Sequence, residues 1–419
     1  MITIALFLFY SLTPLLIWYL CENSKFFHKL GAVVIIYLIG ILVANLFLFP
    51  MESDAFRNLL AGRAFVPKAD ALELLDQGVI KHNDMVMNQI ASFQNSILSY
   101  IIPIAIPFLL LSFNIKDRSK LLGKGMSSII LTISLLFICL SGCFFLFKNF
   151  VADVWNVSGT IVGLFSGGTA GLATISTALG TTPAVFVIIQ LFGLIISIGL
   201  FIFFITKGKH AFDAPLLANE SEIETPLLVQ EETISNPTSK KQWKSALALA
   251  GLLGISIFIF AISYFASKLV PFEYQKPTTI LLVLILGMLI RFIEPLKKIE
   301  RTADAGSYFL LLFCLIISSM FDFRTFVQPG MISLLLLIIF SVGAAISLTI
   351  LLSKPFGIHK QTTLISLVSL IMPSHMVTNL ANVLKKNEII PIANTIGSLG
   401  FLISSFGGIF LAYILKILQ

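Results

Sequence analysis

Apolar residues gather in twelve long runs, at about 1–20, 30–49, 96–114, 126–147, 155–180, 184–205, 245–267, 278–293, 306–321, 331–353, 361–384 and 389–415. About 20 apolar residues in a helix cross the hydrocarbon core of a bilayer, so each run predicts a membrane segment. Two stretches break the pattern. Residues 51–95 mix charges with helically spaced apolar positions (Leu59, Leu60, Leu72, Leu74, Leu75) and predict short amphipathic helices on the extracytoplasmic face. Residues 206–244 carry Glu220, Glu222, Glu224, Pro226, Glu231, Glu232 and Pro237 among few apolar side chains, and predict a disordered cytoplasmic linker. The linker separates an N-terminal membrane repeat, 1–205, from a C-terminal one, 245–419.

Composition agrees with this reading. Of the 419 residues 57% are hydrophobic and 12% charged, against about 25% charged in a soluble domain. This excludes a soluble enzyme with a large core. The net charge of +7 would suit nucleic acid, but Lys and Arg sit in short loops between apolar runs, where they orient a membrane protein. The partner they imply is the lipid bilayer, not nucleic acid. Met1 to Leu20 has no basic leader and no small-residue cleavage site, and predicts a retained first span. Of the four cysteines, Cys21, Cys139, Cys143 and Cys314, the pair Cys139 and Cys143 shares a helix face. No histidine accompanies them, so packing is expected and a metal site is not.

The loop charges also set the topology. Lys25 and Lys29, then Lys116, Arg118, Lys120 and Lys124, then Lys207, Lys209, Lys240, Lys241 and Lys244 follow the first, third and sixth runs. Arg291, Lys297, Lys298 and Arg301 follow the eighth, and Lys354 and Lys360 the tenth. Positive-inside placement puts all of them in the cytoplasm. The loop after the third run and the linker then face one side, so one run between them does not cross. The run 155–180 dissolves into Ser166-Gly167-Gly168-Thr169-Ala170-Gly171 and is expected to enter, turn and leave on the same side. In the second half, 361–384 is interrupted at Met372-Pro373-Ser374-His375 in the corresponding place, and 101–117 and 308–323 also correspond. Five crossings per half is odd, so the halves are expected to be inverted. The predicted fold is an all-α polytopic membrane protein of two inverted repeats, each of about five transmembrane helices with one broken or re-entrant segment. Secondary transporters use this pattern and hold substrate where the interruptions meet.

The candidate ligand residues lie at the two interruptions. Gly167, Gly168 and Gly171 allow close approach to the main chain, and Ser166, Thr169, Thr174, Ser176 and Thr177 offer hydroxyls. The competing explanation is close helix packing by small residues. In the second half Ser374, Thr378 and Asn382 fall at i, i+4 and i+8, with His375 and Asn379 beside them. Polar groups at that density face a cavity or another helix rather than lipid. Asn394, Thr395 and Ser398 extend the theme. His375 suits either a proton-coupling role or a neutral hydrogen bond. The carboxylates Asp117, Asp153, Glu294, Asp304 and Asp322 all lie near run ends. A buried proton relay is therefore not expected, and sodium, which carbonyl and hydroxyl oxygens hold, is the expected coupling ion ahead of the proton. Arg291 suits snorkelling better than pairing with an anion. No Walker motif, nucleophile elbow or metal-ligand spacing occurs, so no enzyme and no cofactor is expected. The alternatives are a channel or a non-transporting scaffold and, behind them, an intramembrane enzyme using His375 with Ser374.

Ala105-Ile106-Pro107-Phe108-Leu109-Leu110-Leu111, the stretch Trp155 to Gly180, and the ending Ile390 to Tyr413 with Gly397, Gly400, Gly407 and Gly408 resemble segments of the YjcL-like family of uncharacterised bacterial integral membrane proteins. That family is distantly similar to sodium:glutamate and sodium:citrate symporters. The resemblance implies a cation-coupled carrier of a small organic anion in the bacterial cytoplasmic membrane, working as an elevator and forming a homodimer. One departure stands out. Where the family carries Ile-Gly-Gly-Pro in the second half, this chain has Leu370-Ile371-Met372-Pro373-Ser374-His375, so its second break is expected to be built differently.

Overall fold

A computed structural model describes residues 2–46, 49–50, 52–60, 65–112, 119–206, 239–297, 299, 301–324, 329–358, 360–384 and 389–419. Most of the predicted linker 206–244 lies outside them, as do Lys116 and Arg118. All regular structure among the described residues is helical. In chain order the helices are α1 (Ile2–Asn23), α2 (Lys25–Leu30), α3 (Ala32–Asn45), α4 (Asp54–Leu60), α5 (Lys68–Asp76), α6 (His82–Ser112), α7 (Ser119–Phe147), α8 (Val154–Leu179) and α9 (Pro183–Thr206). They continue as α10 (Ser239–Ser267), α11 (Phe272–Ile290), α12 (Glu294–Lys297), α13 (Thr302–Ser318), α14 (Pro329–Ser353), α15 (Lys360–Ile371), α16 (Ser374–Leu384) and α17 (Ile389–Ile417). Among the described residues nine helices are long and apolar enough to span a bilayer, and α3, α13 and α15 are shorter apolar helices. The chain is a multi-pass membrane protein.

Residues 51–95 depart from a set of short surface helices. Helices α4 and α5 are short as expected, but residues 82–95 are the first turns of α6, which runs on unbroken to Ser112. Its 31 residues make about 46 Å, well beyond the ~30 Å hydrocarbon core. Buried polar groups fix this start. The Asp84 carboxylate accepts from the Ser53 N–H at 2.7 Å, the Ser53 hydroxyl at 2.8 Å and the Lys81 N–H at 2.8 Å. The Asn88 carboxamide pairs with both backbone groups of Val66 at 2.8 Å. Phe56, Val66, Ala71, Ile80 and Met85 bury a small core of their own beneath α4 and α5.

Helices α6 and α13 pack closely against each other. Gly306 lies tight against Leu109, where a Cβ would come within 3.0 Å of its side chain, and the Phe108 and Phe309 rings lie 5.6 Å apart. Each is flanked by a helix with a glycine at the contact: Gly287 of α11 lies against Leu110, and Gly40 of α3 against Ser318. Close approach through small residues is how membrane helices gain dispersion contact without a hydrophobic drive. A buried triad adds α1 to this group. Gln94 donates to Tyr10 Oη at 2.8 Å and to Ser319 Oγ at 3.0 Å, and those two hydroxyls are 2.8 Å apart.

The run 155–180 folds back on itself within α8. Asn156 Nδ2 donates to the Leu179 carbonyl at 3.1 Å, Thr181 Oγ1 donates to Asn156 Oδ1 at 2.6 Å, and Thr160 and Thr181 hydroxyls are 2.9 Å apart. Higher up, the backbones of Gly163 and Gly171 touch. The two limbs, Val154–Gly167 and Thr169–Leu179, are therefore antiparallel. At 1.5 Å per residue they reach about 21 and 16 Å, each short of the hydrocarbon thickness. Although α8 is long enough to span, its two ends sit side by side. The run 361–384 is likewise interrupted: α15 stops at Ile371 and α16 starts at Ser374, with Pro373 between them.

Candidate functional site

The first break is made by glycine for a backbone reason. Gly168 has φ 61° and ψ −157°, a region essentially closed to residues with a Cβ. Gly167 is crowded, because a Cβ there would lie 2.6 Å from Ser404 Oγ and 3.2 Å from the Phe401 backbone of α17. Between Asn156 and Ser176 only residues 167–170 are partly exposed, and all others are buried. A Cβ on Gly168 would meet nothing within 4 Å. The break is thus the one accessible point along this stretch of buried hairpin.

The remaining candidates around it divide by what their side chains do. Thr169 and Ala170, which begin the return limb, are partly exposed beside the open face. The hydroxyls of Ser166, Thr174 and Thr177 donate to the carbonyls of Val162 at 2.6 Å, Ala170 at 2.8 Å and Ala173 at 2.8 Å. Gly171 is consumed by its contact with Gly163.

The second break is built on proline. Pro373 has no N–H and cannot continue α15. Met372 N–H still reaches the Val368 carbonyl at 2.9 Å, and Met376 and Val377 donate back to the Pro373 carbonyl at 2.9 and 3.1 Å to open α16. Ser374 and His375 begin that helix, but their side chains lie outside the described residues. Thr378 and Asn379 are partly exposed, whereas Asn382 is exposed about 12 Å along the helix from its start. The structure therefore brings Thr378 and Asn379 nearer the break than Asn382.

The two breaks meet on α17. Gly400 lies directly against the Ser166 carbonyl, two residues before Gly168, and against the Leu370 side chain, three residues before Pro373. Below that contact α17 fills the groove of the hairpin, where Gly159 meets Gly408 and Ala412, and Gly408 also meets Ile175 of the return limb. Helix α9 approaches from the other side: the Ser197 hydroxyl donates to the Ile371 carbonyl at 3.0 Å. Asn394 is exposed, Thr395 donates to the Pro391 carbonyl at 2.9 Å, and Ser398 to the Asn394 carbonyl at 2.7 Å.

A broken helix leaves carbonyls at one cut end and N–H groups at the other. The carbonyls of Ser166 and Ile371 are covered, by Gly400 and by the Ser197 hydroxyl. The start of the return limb, at Thr169 and Ala170, lies at the open face. Helix N-termini carry a partial positive charge and attract anions. Among the described residues no group of three His, Cys, Asp or Glu side chains could hold a metal ion.

Sequence reading passed over Ser197, Ser404 and the clasp of Asn156, Thr160 and Thr181. A signal for the first two was present. Gly193 and Gly400, and Ser197 and Ser404, are both 207 positions apart, as are Gly167 and Ser374. No curated protein matches the chain. Residues 78–418, most of its length, match the family described as a protein of unknown function, DUF819, and the chain belongs to that family.

Proposed function

We propose that this protein is a secondary active transporter of a small organic anion or amino-acid-like solute, coupled to sodium, with the substrate held between the two broken segments. The observation that carries this reading is that residues flanking both breaks, Ser166 and Leu370, meet at Gly400, with residues 167–170, Gly168 among them, partly exposed in an otherwise buried stretch from Asn156 to Ser176. A carrier needs two interruptions facing one site, whereas an enzyme needs only one reactive centre. The N-terminus of the return limb favours an anionic group, and backbone and hydroxyl oxygens suit sodium.

Two inverted repeats belong to the same proposal. The 207-residue spacing relates Gly193 to Gly400 and Ser197 to Ser404, and the glycines Gly40 and Gly287 occupy matching contacts on α13 and α6. The resemblance to the YjcL-like family, itself distantly similar to sodium-coupled symporters, is what suggests an elevator mechanism, a homodimer and a place in the bacterial cytoplasmic membrane.

The test is thermal stability of the purified protein against small organic acids, amino acids and peptides, with and without sodium. A ligand that binds only the folded state raises apparent stability by mass action. A sodium-dependent rise with one compound class is expected. No rise with any compound would move the reading to a channel or a scaffold.

A further inference from the structure

The closing helix of each half makes the same two contacts. In α9, Gly193 lies under Leu164 of α8, its own half's broken segment; in α17, Gly400 lies under Leu370 of α15, again its own half's. Four residues after each glycine comes a buried serine, Ser197 at 2% exposure and Ser404 at 0%. Each serine reaches the break of the opposite half. The one hydroxyl proton of Ser197 is shared between Gly193 O of its own helix at 2.8 Å and the Ile371 carbonyl at 3.0 Å. Ser404 Oγ sits over Gly167, where a Cβ would approach it to 2.6 Å.

The chemistry of a break explains why a hydroxyl is needed. Ile371 ends α15, where the last carbonyls of a helix lack partners within their own helix. At membrane depth such groups have to be satisfied by protein, and the Ser197 hydroxyl reaches the Ile371 carbonyl at 3.0 Å. On the other side Ser404, whose proton goes to Phe401 O at 3.1 Å, fills the space that the missing side chain of Gly167 leaves.

From these paired contacts we infer that Ser197 and Ser404 are positioning residues that tie each break to the closing helix of the other half, so that the two breaks are held as one body. The inference rests on the Ser197 hydrogen bond and the Ser404 packing contact, with no ligand involved. Its consequence for a carrier, that both breaks travel together, depends on the transport reading.

Hydrogen–deuterium exchange of the purified full chain tests it without any ligand. Ser197→Ala should speed exchange in peptides covering Met372–Val377 by about fivefold, the factor expected for one lost hydrogen bond. Peptides from residues 101–112 of α6 should stay within about twofold. Ser197→Thr, which keeps the hydroxyl, should restore the slow rate, and Ser404→Ala, which removes a packing contact and no bond to the break, should speed exchange at residues 167–172 by less than Ser197→Ala does at its own. No acceleration at the far break, or an equal acceleration in α6, or a failure of the threonine to rescue, overturns the inference. A ligand screen that finds nothing would leave this result standing, so the two readings fail separately.

Discussion

Asn156 and Leu179 are 23 positions apart in the chain and joined by a hydrogen bond of 3.1 Å. With Thr160 and Thr181 they close the base of the hairpin, so the limbs cannot splay without breaking three polar contacts. Asn156→Leu removes the bond to the Leu179 carbonyl, the one accepted from Thr181 and the longer one accepted from Thr160. The expected loss is about 1–3 kcal/mol, read as a lower thermal midpoint in detergent. Thr177→Ala, which removes only a bond to its own helix, should cost less.

Gly168 tolerates no side chain for a reason unrelated to space. A Cβ there meets nothing within 4 Å, so Gly168→Ala should cost about 1–3 kcal/mol through the backbone alone. Gly142 of α7 is equally uncrowded and helical, and Gly142→Ala should be neutral or stabilising. Equal effects of the two substitutions on thermal unfolding would refute this account.

At Gly400 the obstacle is contact. Gly400→Ala drives a methyl group into the Ser166 carbonyl and Leu370 together, and overpacking of this kind costs about 1–3 kcal/mol. Gly397, one turn earlier, has only the Ser369 carbonyl at 3.5 Å from its Cβ position, which is ordinary contact. Gly397→Ala should therefore leave the unfolding midpoint nearly unchanged.

Bulky substitutions at Gly168 and, separately, at Asn379 should each abolish ligand-induced stabilisation and uptake while the protein still reaches the membrane. If one of them alone mattered, a site built from two breaks would be wrong.

Glu52, in the loop before α4, carries a carboxyl pushed up chiefly by burial, with Asp322 and Asp84 adding to the rise and Arg57 opposing it. A raised value in the fold means that the folded state disfavours the ionised form. Stability is then lost as pH climbs from the ordinary carboxyl value of 4.5 through the raised one. Glu52→Gln should flatten that part of the stability profile and raise stability at neutral pH, measured by unfolding across a pH series.

Much of the architecture was legible in the sequence because hydrocarbon imposes its own period. Among the described residues each of the twelve apolar runs is mostly helical, and the breaks at Gly168 and Pro373 fall where runs turn polar. What was not legible follows from the same physics. Residues 82–95 continue α6 because Asp84 and Asn88 take their partners from Ser53 and Val66, contacts that no periodicity reveals. Ser166 and Thr174 look like free hydroxyls in the sequence, but a membrane helix lets serine and threonine bond their own backbone four residues back. Ser197 and Ser404 look like isolated polar residues in apolar helices until the opposite half is beside them.

The groove of α8 has a consequence for biogenesis. Its filler, α17, is encoded about two hundred residues downstream, and at ~5–20 residues per second a ribosome takes roughly 10–40 s to reach it. During that interval the glycine-lined faces of Gly159 and Gly167 have no mate. The groove between the limbs is completed only when the late helix arrives to fill it.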